Sequence, residues 1–219
     1  MPEELGGSAA GPMEYAVMCE AGARYGYDFV AAVVGTPSFT AQNLIKFGNP
    51  DQIDRFIKPF VAGELRFSIG ISEPEAGSDA ASTQTRAVRD GDEYVITGAK
   101  QWISGSGLPN AHILMLVRTD PDAPKHQGLS TIVVPNNLEG MTLNKLKTLA
   151  RRGMGTYQVF LDEVRVPVAN RIGEEGQGWE IIGSNLELER IACASGYTGC
   201  AQQAVDDALL YATQREQFG

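Results

Sequence analysis

At 219 residues the chain is long enough to bury a real core, as one large domain or two small ones. Hydrophobic residues make up 43% and charged residues 21%, a globular balance that argues against disorder. Lys plus Arg number 18 against 27 Asp plus Glu, a net charge of −9, so a basic footprint for nucleic acid is missing. Any anionic ligand must then be met by local arginines or helix N-termini.

Residues 13 to 34 ("MEYAVMCEAGARYGYDFVAAVV") are rich in Ala and Met, with helical spacing of the larger side chains. "TPSFTAQNLIKFG" follows as a second helix, starting at Thr36-Pro37 and stopping at Gly48. In "NPDQIDRFIKPFVAGE", Asn49 caps, Pro50 sits in the first turn, and Ile53, Phe56, Ile57 and Phe60 make one face. Pro59 is expected to end or bend this third helix.

From Phe67 the period changes from helical to alternating. "STQTRAVRDGDEYVITGAKQWIS" carries Asp90-Gly91 at a tight turn, a hairpin signal. "AHILMLVRT", "LSTIVVP", "MTLNKLK" and "YQVFLDEVRVP" read as further strands between Gly, Pro and Asn. After "IGEEGQGW" a helical pattern returns, from Trp179 to about Phe218. The expected layout is a helical part (1–66), a β domain (67–170) and the first helices of a second helical domain (171–219). The "MPEELGGSA" beginning and the "ATQREQFG" ending both read as interior sequence, so the chain is expected to be a fragment.

Cys19, Cys193 and Cys200 form no CxxC pair and suit buried thiols in a reducing cytosol. His112 and His126 are the only histidines, too few for a His-rich metal site. No apolar run approaches membrane-spanning length, so a soluble, cytoplasmic protein is expected.

Three stretches could carry chemistry. In "FSIGISEPEAGSD" a short apolar strand ends at Ser72, and Pro74 cannot continue a ladder. Gly77 allows close backbone approach, while Ser78 and Asp79 offer polar groups. Such a loop suits a flat heteroaromatic ligand beside an anionic one, although turn residues are common and an ordinary Asx-type turn explains them equally. In "GAKQWISGSG", Trp102 opens a buried-looking Trp-Ile-Ser unit on a strand. Its indole could stack on an aromatic cofactor with Ser104 bonding the edge, or it could be a core tryptophan. "LELER" lies in the helix beginning near Trp179, along which Ile182, Leu186, Glu189, Cys193, Gly196 and Cys200 recur at helical steps. That row turns Glu189 towards an apolar face, where a carboxylate is costly without a partner or a task, unless it reaches water at the edge. Glu187 lies on another side and can pair with Arg190.

Taken in order, these stretches resemble the acyl-CoA dehydrogenase family from end to end. "ISEPEAGSDAAS" is similar to its Thr/Ser-Glu-Pro-x-Ala-Gly-Ser-Asp signature, and "GDEYVITGAKQWISGSG" to its second signature. "GEEGQGW" and "LELERIACASGYTGCAQQAVDDALLYATQREQFG" resemble the start of its C-terminal helical domain.

The resemblance implies an α+β fold. An N-terminal helical part, a β-barrel-like middle domain and a C-terminal helical bundle would clasp FAD and an acyl-CoA. By motif, Ile69, Gly70, Ile71 and Ser72 line the flavin, Trp102 and Ile103 flank its ring, and Ser104 bonds near its N5. Ser78 touches the acyl-CoA and the cofactor loop, and Glu187, Leu188, Glu189 and Arg190 border substrate. Arg215 and Gln217 match positions that reach the FAD of a neighbouring subunit, which implies a homodimer or homotetramer. Most members carry their catalytic glutamate beyond the position of Gly219. Glu189, before Arg190, stands where a minority including the isovaleryl and long-chain enzymes carry it. The implied reaction is α,β-dehydrogenation of an acyl-CoA thioester, with electron-transferring flavoprotein as acceptor. An acyl-CoA oxidase, a same-fold flavin enzyme on a non-CoA substrate and a non-catalytic interaction module are the alternatives.

Overall fold

The computed structural model describes residues 1–31 and 36–219. After a 3-10 turn (Glu3–Leu5) come three α-helices: α1 (Pro12–Ala23), α2 (Tyr27–Val30) and α3 (Thr36–Phe47). The single helix expected over 13–34 is therefore divided. Gly26, at φ 135°, breaks it in a conformation that L side chains rarely adopt. The end of that expected span, 32–35, lies outside the described residues.

The next helix begins as the sequence indicates. The Asn49 side chain accepts from Gln52 N–H at 2.9 Å, and Gln52 Oε1 accepts from Asn49 N–H at 3.0 Å, a reciprocal cap. Pro59 does not end it. The run passes from α4 (Pro50–Gln52) through a π turn (Ile53–Ile57) into α5 (Lys58–Val61). The wider turn accommodates the ring and the missing N–H of Pro59.

Eight strands form one sheet: β1 (Arg66–Gly70), β2 (Arg86–Asp90), β3 (Glu93–Ser104), β4 (Ala111–Arg118), β5 (Leu129–Pro135), β6 (Met141–Lys145), β7 (Thr156–Pro167) and β8 (Arg171–Ile172). The order is β6-β7-β3-β2-β4-β5-β8, with β1 parallel to β4. Pairing of β8 with β5 carries the sheet just past residue 170, the expected end of the β domain.

The two core faces explain the unbroken apolar runs Ile113–Val117 of β4 and Ile132–Val134 of β5. Leu114, Leu116, Leu129 and Val133 pack with Phe56, Ile57 and Ile181 on the helical side. Ile113, Met115, Val117, Ile132 and Val134 pack with Tyr94, Ile96 and Val159 on the other. Strands buried on both faces lose their polar alternation.

The second helical region is also divided, into α6 (Gly178–Gly183) and α7 (Leu186–Gln214). A continuous helix from Trp179 to Phe218 was expected; the break falls at Ser184 and Asn185. Ser184 Oγ donates to Ile181 O at 2.9 Å, and Asn43 Oδ1 accepts from Asn185 Nδ2 at 2.5 Å and from Ser184 Oγ at 3.3 Å. These side chains compete with the helix for its own polar groups. Ile182 thus belongs to α6 and the main core, not to the row that carries Glu189.

Helices α1 and α7 cross in close contact. A Cβ placed on Gly199 would stand 2.0 Å from Glu20 O, so only glycine permits this approach. Further along, Val205, Leu209, Leu210 and Tyr211 are exposed. Among the described residues no helix is long and apolar enough to cross a membrane.

Candidate functional site

The 71–79 loop leaves β1 and is held from within by Glu73. Its carboxylate accepts from Gln84 N–H at 2.8 Å, Thr85 N–H at 3.0 Å and Lys100 Nζ at 2.8 Å. Lys100 Nζ also donates to Ile71 O at 3.1 Å. Lys100 is 0% exposed and Glu73 8%. Burial pushes the Glu73 carboxyl up, but Lys100 and the two amides outweigh it and hold it below the ordinary carboxylate range. Burial pulls the Lys100 ammonium down to about 8, against the opposing effect of Glu73. At neutral pH both are ionised, and the pair ties the loop to β3.

The other loop groups divide by role. Asp79 accepts from Ser82 Oγ and Lys125 Nζ at the surface, and Ser78 and Gly77 are exposed. Ile69 and Ile71 are half-buried against the main core, and Gly70 sits directly on Ile113 and Met115. Those three pack inward, leaving Ser72 and Ser78 with polar groups to offer.

The second stretch meets the first through the backbone. Gln101 N–H donates to Ser72 O at 2.8 Å, which places Trp102 beside the end of the loop. The Trp-Ile-Ser unit is not buried as a whole. Pairing of β3 with β7 is irregular between Lys100 and Ile103, and Trp102 occupies that bulge at φ 65°. Ile103 turns into the core while the indole is 59% exposed. A left-handed backbone at a bulky residue costs on the order of 1–3 kcal/mol and points to a task for that side chain.

Gly105, at φ 77°, lets the strand turn away; a Cβ there would meet Ser68 Oγ at 3.3 Å. Ser68 Oγ, beside Gly105, and Gln101 Oε1, in the residue before Trp102, are buried without a hydrogen-bond partner. A flat face, half-buried Ser72 and Ser104 hydroxyls and an orphaned amide oxygen suit a planar cofactor with polar edges. FAD fits these residues.

The third stretch is the first turn of α7. Glu189 N–H donates to Asn185 O at 3.2 Å, and its half-buried side chain lines a cavity of about 20 Å³ with Tyr27, Arg151, Ala192 and Cys193. Burial pushes the Glu189 carboxyl up, while Arg151 and then Arg190 pull it back; the net shift is upward. Tyr27 O–H donates to Cys193 Sγ at 3.4 Å. Tyr15 is raised, first by burial and then by the nearby Cys19, although a hydrogen bond with Ser38 opposes this. Glu187 and Arg190 are exposed, and Leu188 lines a separate cavity of about 250 Å³ with Tyr15, Ser38 and Gln42.

Arg151 joins the two sides. Its Nη1 donates to Ser104 Oγ at 3.4 Å, and its guanidinium lies 5.7 Å from the Tyr27 ring centroid. Sequence reasoning missed Arg151, Tyr27, Lys100 and the anchoring role of Glu73. For Arg151 the available signal was a cation inside the short glycine-bearing stretch "LARRGMG" between two strands.

Arg215 and Gln217 are not brought together with the rest. Expected within the helix, they follow its end at Gln214 and are exposed; Gln217 Nε2 donates only to Glu216 O. About 40 Å of helix separates them from Glu189. A cavity of about 610 Å³, lined by Glu73, Pro74, Thr85, Gly98 and Arg118, includes none of Ser72, Trp102, Ser104 or Glu189.

Family models for the acyl-CoA dehydrogenase N-terminal, middle and C-terminal domains match residues 1–64, 68–164 and 176–219. Acyl-CoA dehydrogenase FadE26 of Mycobacterium tuberculosis is 37% identical over 203 residues, 89% of this chain and 48% of its own length. The Etf-complex subunit CarC of caffeyl-CoA reductase from Acetobacterium woodii is 31% identical, across 100% of this chain and 58% of its own. The solved butyryl-CoA dehydrogenase of Megasphaera elsdenii superimposes with a TM-score of 0.92 at 29% identity, over 100% of this chain and 58% of its own. The chain belongs to the acyl-CoA dehydrogenase family. It spans about half the length of the curated relatives it matches.

Proposed function

We propose that this chain supplies the cofactor cleft and the base of an FAD-dependent acyl-CoA dehydrogenase. The observation that carries the reading is the meeting of the Ser72 loop with the Trp102 bulge through the Gln101–Ser72 backbone bond. Trp102, Ser72 and Ser104 would hold the flavin, with Ile69, Gly70, Ile71 and Ile103 packed behind them. Bound there, FAD supplies an acceptor for the hydride from the β-carbon of the thioester.

The residues of this chain then divide the remaining work. Glu189 removes the α-proton onto its carboxylate, and partial burial suits it by raising its affinity for that proton. Leu188 and the cavity beside it border the acyl group, with Ser78 at the mouth. Arg215 and Gln217, exposed beyond α7, reach the cofactor of a neighbouring copy in a homodimer or homotetramer. Electron-transferring flavoprotein is the acceptor, a reading supported by the similarity to an Etf-complex subunit. Three free cysteines suit a reducing compartment, and we place the protein in the cytoplasm.

The test is anaerobic stopped-flow bleaching of the FAD-loaded protein by butyryl-, isovaleryl- and octanoyl-CoA. Bleaching without peroxide on admission of oxygen is expected. Rapid peroxide formation would assign an oxidase, and failure of every thioester to bleach the flavin would overturn the acyl-CoA reading.

A further inference from the structure

We propose that Arg151 is a positioning residue of this site, holding the counter-charge opposite the Glu189 carboxyl and joining it to the Ser104 side of the cleft. The inference rests on the reading of Glu189 as the base and adds a residue to it.

The loop that carries Arg151 is pinned from two directions. Gly105 N–H, next to Ser104, donates to Gly155 O at 2.9 Å, and Gly153 N–H donates to Asp28 Oδ2 at 3.2 Å, next to Tyr27. Within the loop, Gly155 N–H closes back onto Arg151 O at 2.9 Å. Arg151 sits at φ 58°, a conformation that a non-glycine residue adopts at a cost. The surrounding bonds fix that backbone, and the side chain it presents spans two otherwise separate groups.

Its guanidinium has a hydroxyl on one side and an aromatic face on another. Ser104 Oγ accepts from it at 3.4 Å, and the Tyr27 ring lies 5.7 Å from it. Tyr27 is in turn held by stacking on Tyr197, with centroids 4.5 Å apart and planes within 4°, and by its bond to Cys193. Among the described residues no carboxylate forms an ion pair with Arg151. The cation and Glu189 instead line the same small cavity.

The other groups around Glu189 leave Arg151 as the deciding charge. Tyr15 and Cys19 approach from α1 and Tyr27 from α2, and burial raises all three so that they stay uncharged near neutrality. Cys193 and Arg190 belong to α7 itself, and Arg190 is exposed, where water screens it. Arg151 is half-buried in the cavity wall, and its pull on the carboxyl exceeds that of Arg190.

This arrangement separates two tasks that conflict in a buried base. Apolar surroundings give the carboxyl its proton affinity, and a cation that does not pair directly keeps enough of it ionised to act. The same cation bonds the hydroxyl assigned to the cofactor edge, so base and cofactor loop are registered on one another through a single side chain.

The test uses R151Q, R151K and E189Q in the FAD-loaded protein, after flavin content and melting temperature confirm folding. Ionisation of Glu189 is read without reference to turnover, by infrared difference spectra of ¹³C-glutamate-labelled protein against pH, with E189Q as the blank. For R151Q the ionisation midpoint should move up, because removing a cation favours the protonated carboxyl, and R151K should restore most of it. Flavin reduction by the best of the three thioesters should fall several-fold on the acid side and recover as pH rises. An unmoved infrared titration in R151Q would overturn the proposal, as would an equal loss of rate at every pH. If R151Q loses its flavin, R151K carries the test: an ionisation midpoint unlike wild type and glutamine-like pH dependence would overturn it. Near-normal bleaching by E189Q would remove the base assignment, and with it the part of Arg151 in the reaction, even where the infrared titration moved.

Discussion

Lys100 reaches across from β3 to Glu73 at 2.8 Å, and neither side chain sees appreciable solvent. The same carboxylate also receives two backbone N–H groups, from Gln84 and Thr85. One buried ion pair therefore fastens the loop after β1, the approach to β2 and the middle of β3.

The first prediction concerns that pair. Glu73→Gln leaves the Lys100 ammonium buried without its counter-charge and should cost about 3–5 kcal/mol. Adding Lys100→Met should recover part of the loss, as urea unfolding at pH 7 would show. The folded Glu73 carboxyl lies below its ordinary range, so its contribution is present above the unfolded value and is lost as pH falls through the folded one. Acid unfolding of Glu73→Gln should accordingly be less steep than that of wild type. A double variant no more stable than the single one would deny the coupling.

Trp102 should be dispensable for folding and needed for the cofactor. Trp102→Gly removes a left-handed bulky residue and an exposed indole, so the melting temperature should hold or rise slightly. Flavin content should drop at the same time, and the flavin spectrum should change. A variant with full, spectrally unchanged flavin would show that the indole does not meet the ring.

Glu189→Gln should slow flavin reduction by about 10² to 10⁴, the ordinary worth of a positioned base, while acyl-CoA binding persists. Stability should move the other way. The folded carboxyl is raised, so its contribution is present below the unfolded value and is lost as pH rises through the folded one. At pH 8 the glutamine variant should resist urea at least as well as wild type. Near-normal bleaching would move the base to another carboxylate.

Gly199→Ala tests the crossing of α1 and α7. Its Cβ would overlap Glu20 O, so the helices must part, at a cost of about 1–3 kcal/mol. Tyr15 and Cys19 ride on α1, so the change should also alter the pH dependence of Glu189 ionisation. An alanine variant with wild-type stability would mean that the helices are looser than described.

Where the deciding interactions are local, the sequence was readable. The Asn49–Gln52 cap lies within four residues, the turn after Asp90 is set by Gly91, and β4 and β5 declare their two-sided burial by composition. The unreadable features depend on distant partners. The break before α7 needs Asn43, far away in sequence on α3, and the Glu73–Lys100 tie forms only when loop and strand meet. The sequence allows Trp102 as a core or a cofactor residue, and only the irregular pairing with β7 turns it outward. Arg151 goes unmarked in the sequence because neither Ser104 nor Tyr27 is near it there.

The interruption at Ser184 and Asn185 sets the angular origin of α7. Each residue advances a helix by about 100°, and Glu189 N–H is hung on Asn185 O, one turn in. A residue inserted or deleted within α6 would disturb the packing of Ile181 and Ile182 in the main core but leave the origin of α7 at Asn185. The same change between Asn185 and Glu189 would swing it by about 100°, away from Arg151 and towards water. A length change on one side of this two-residue boundary is therefore felt by the core, and on the other by the direction of the carboxyl.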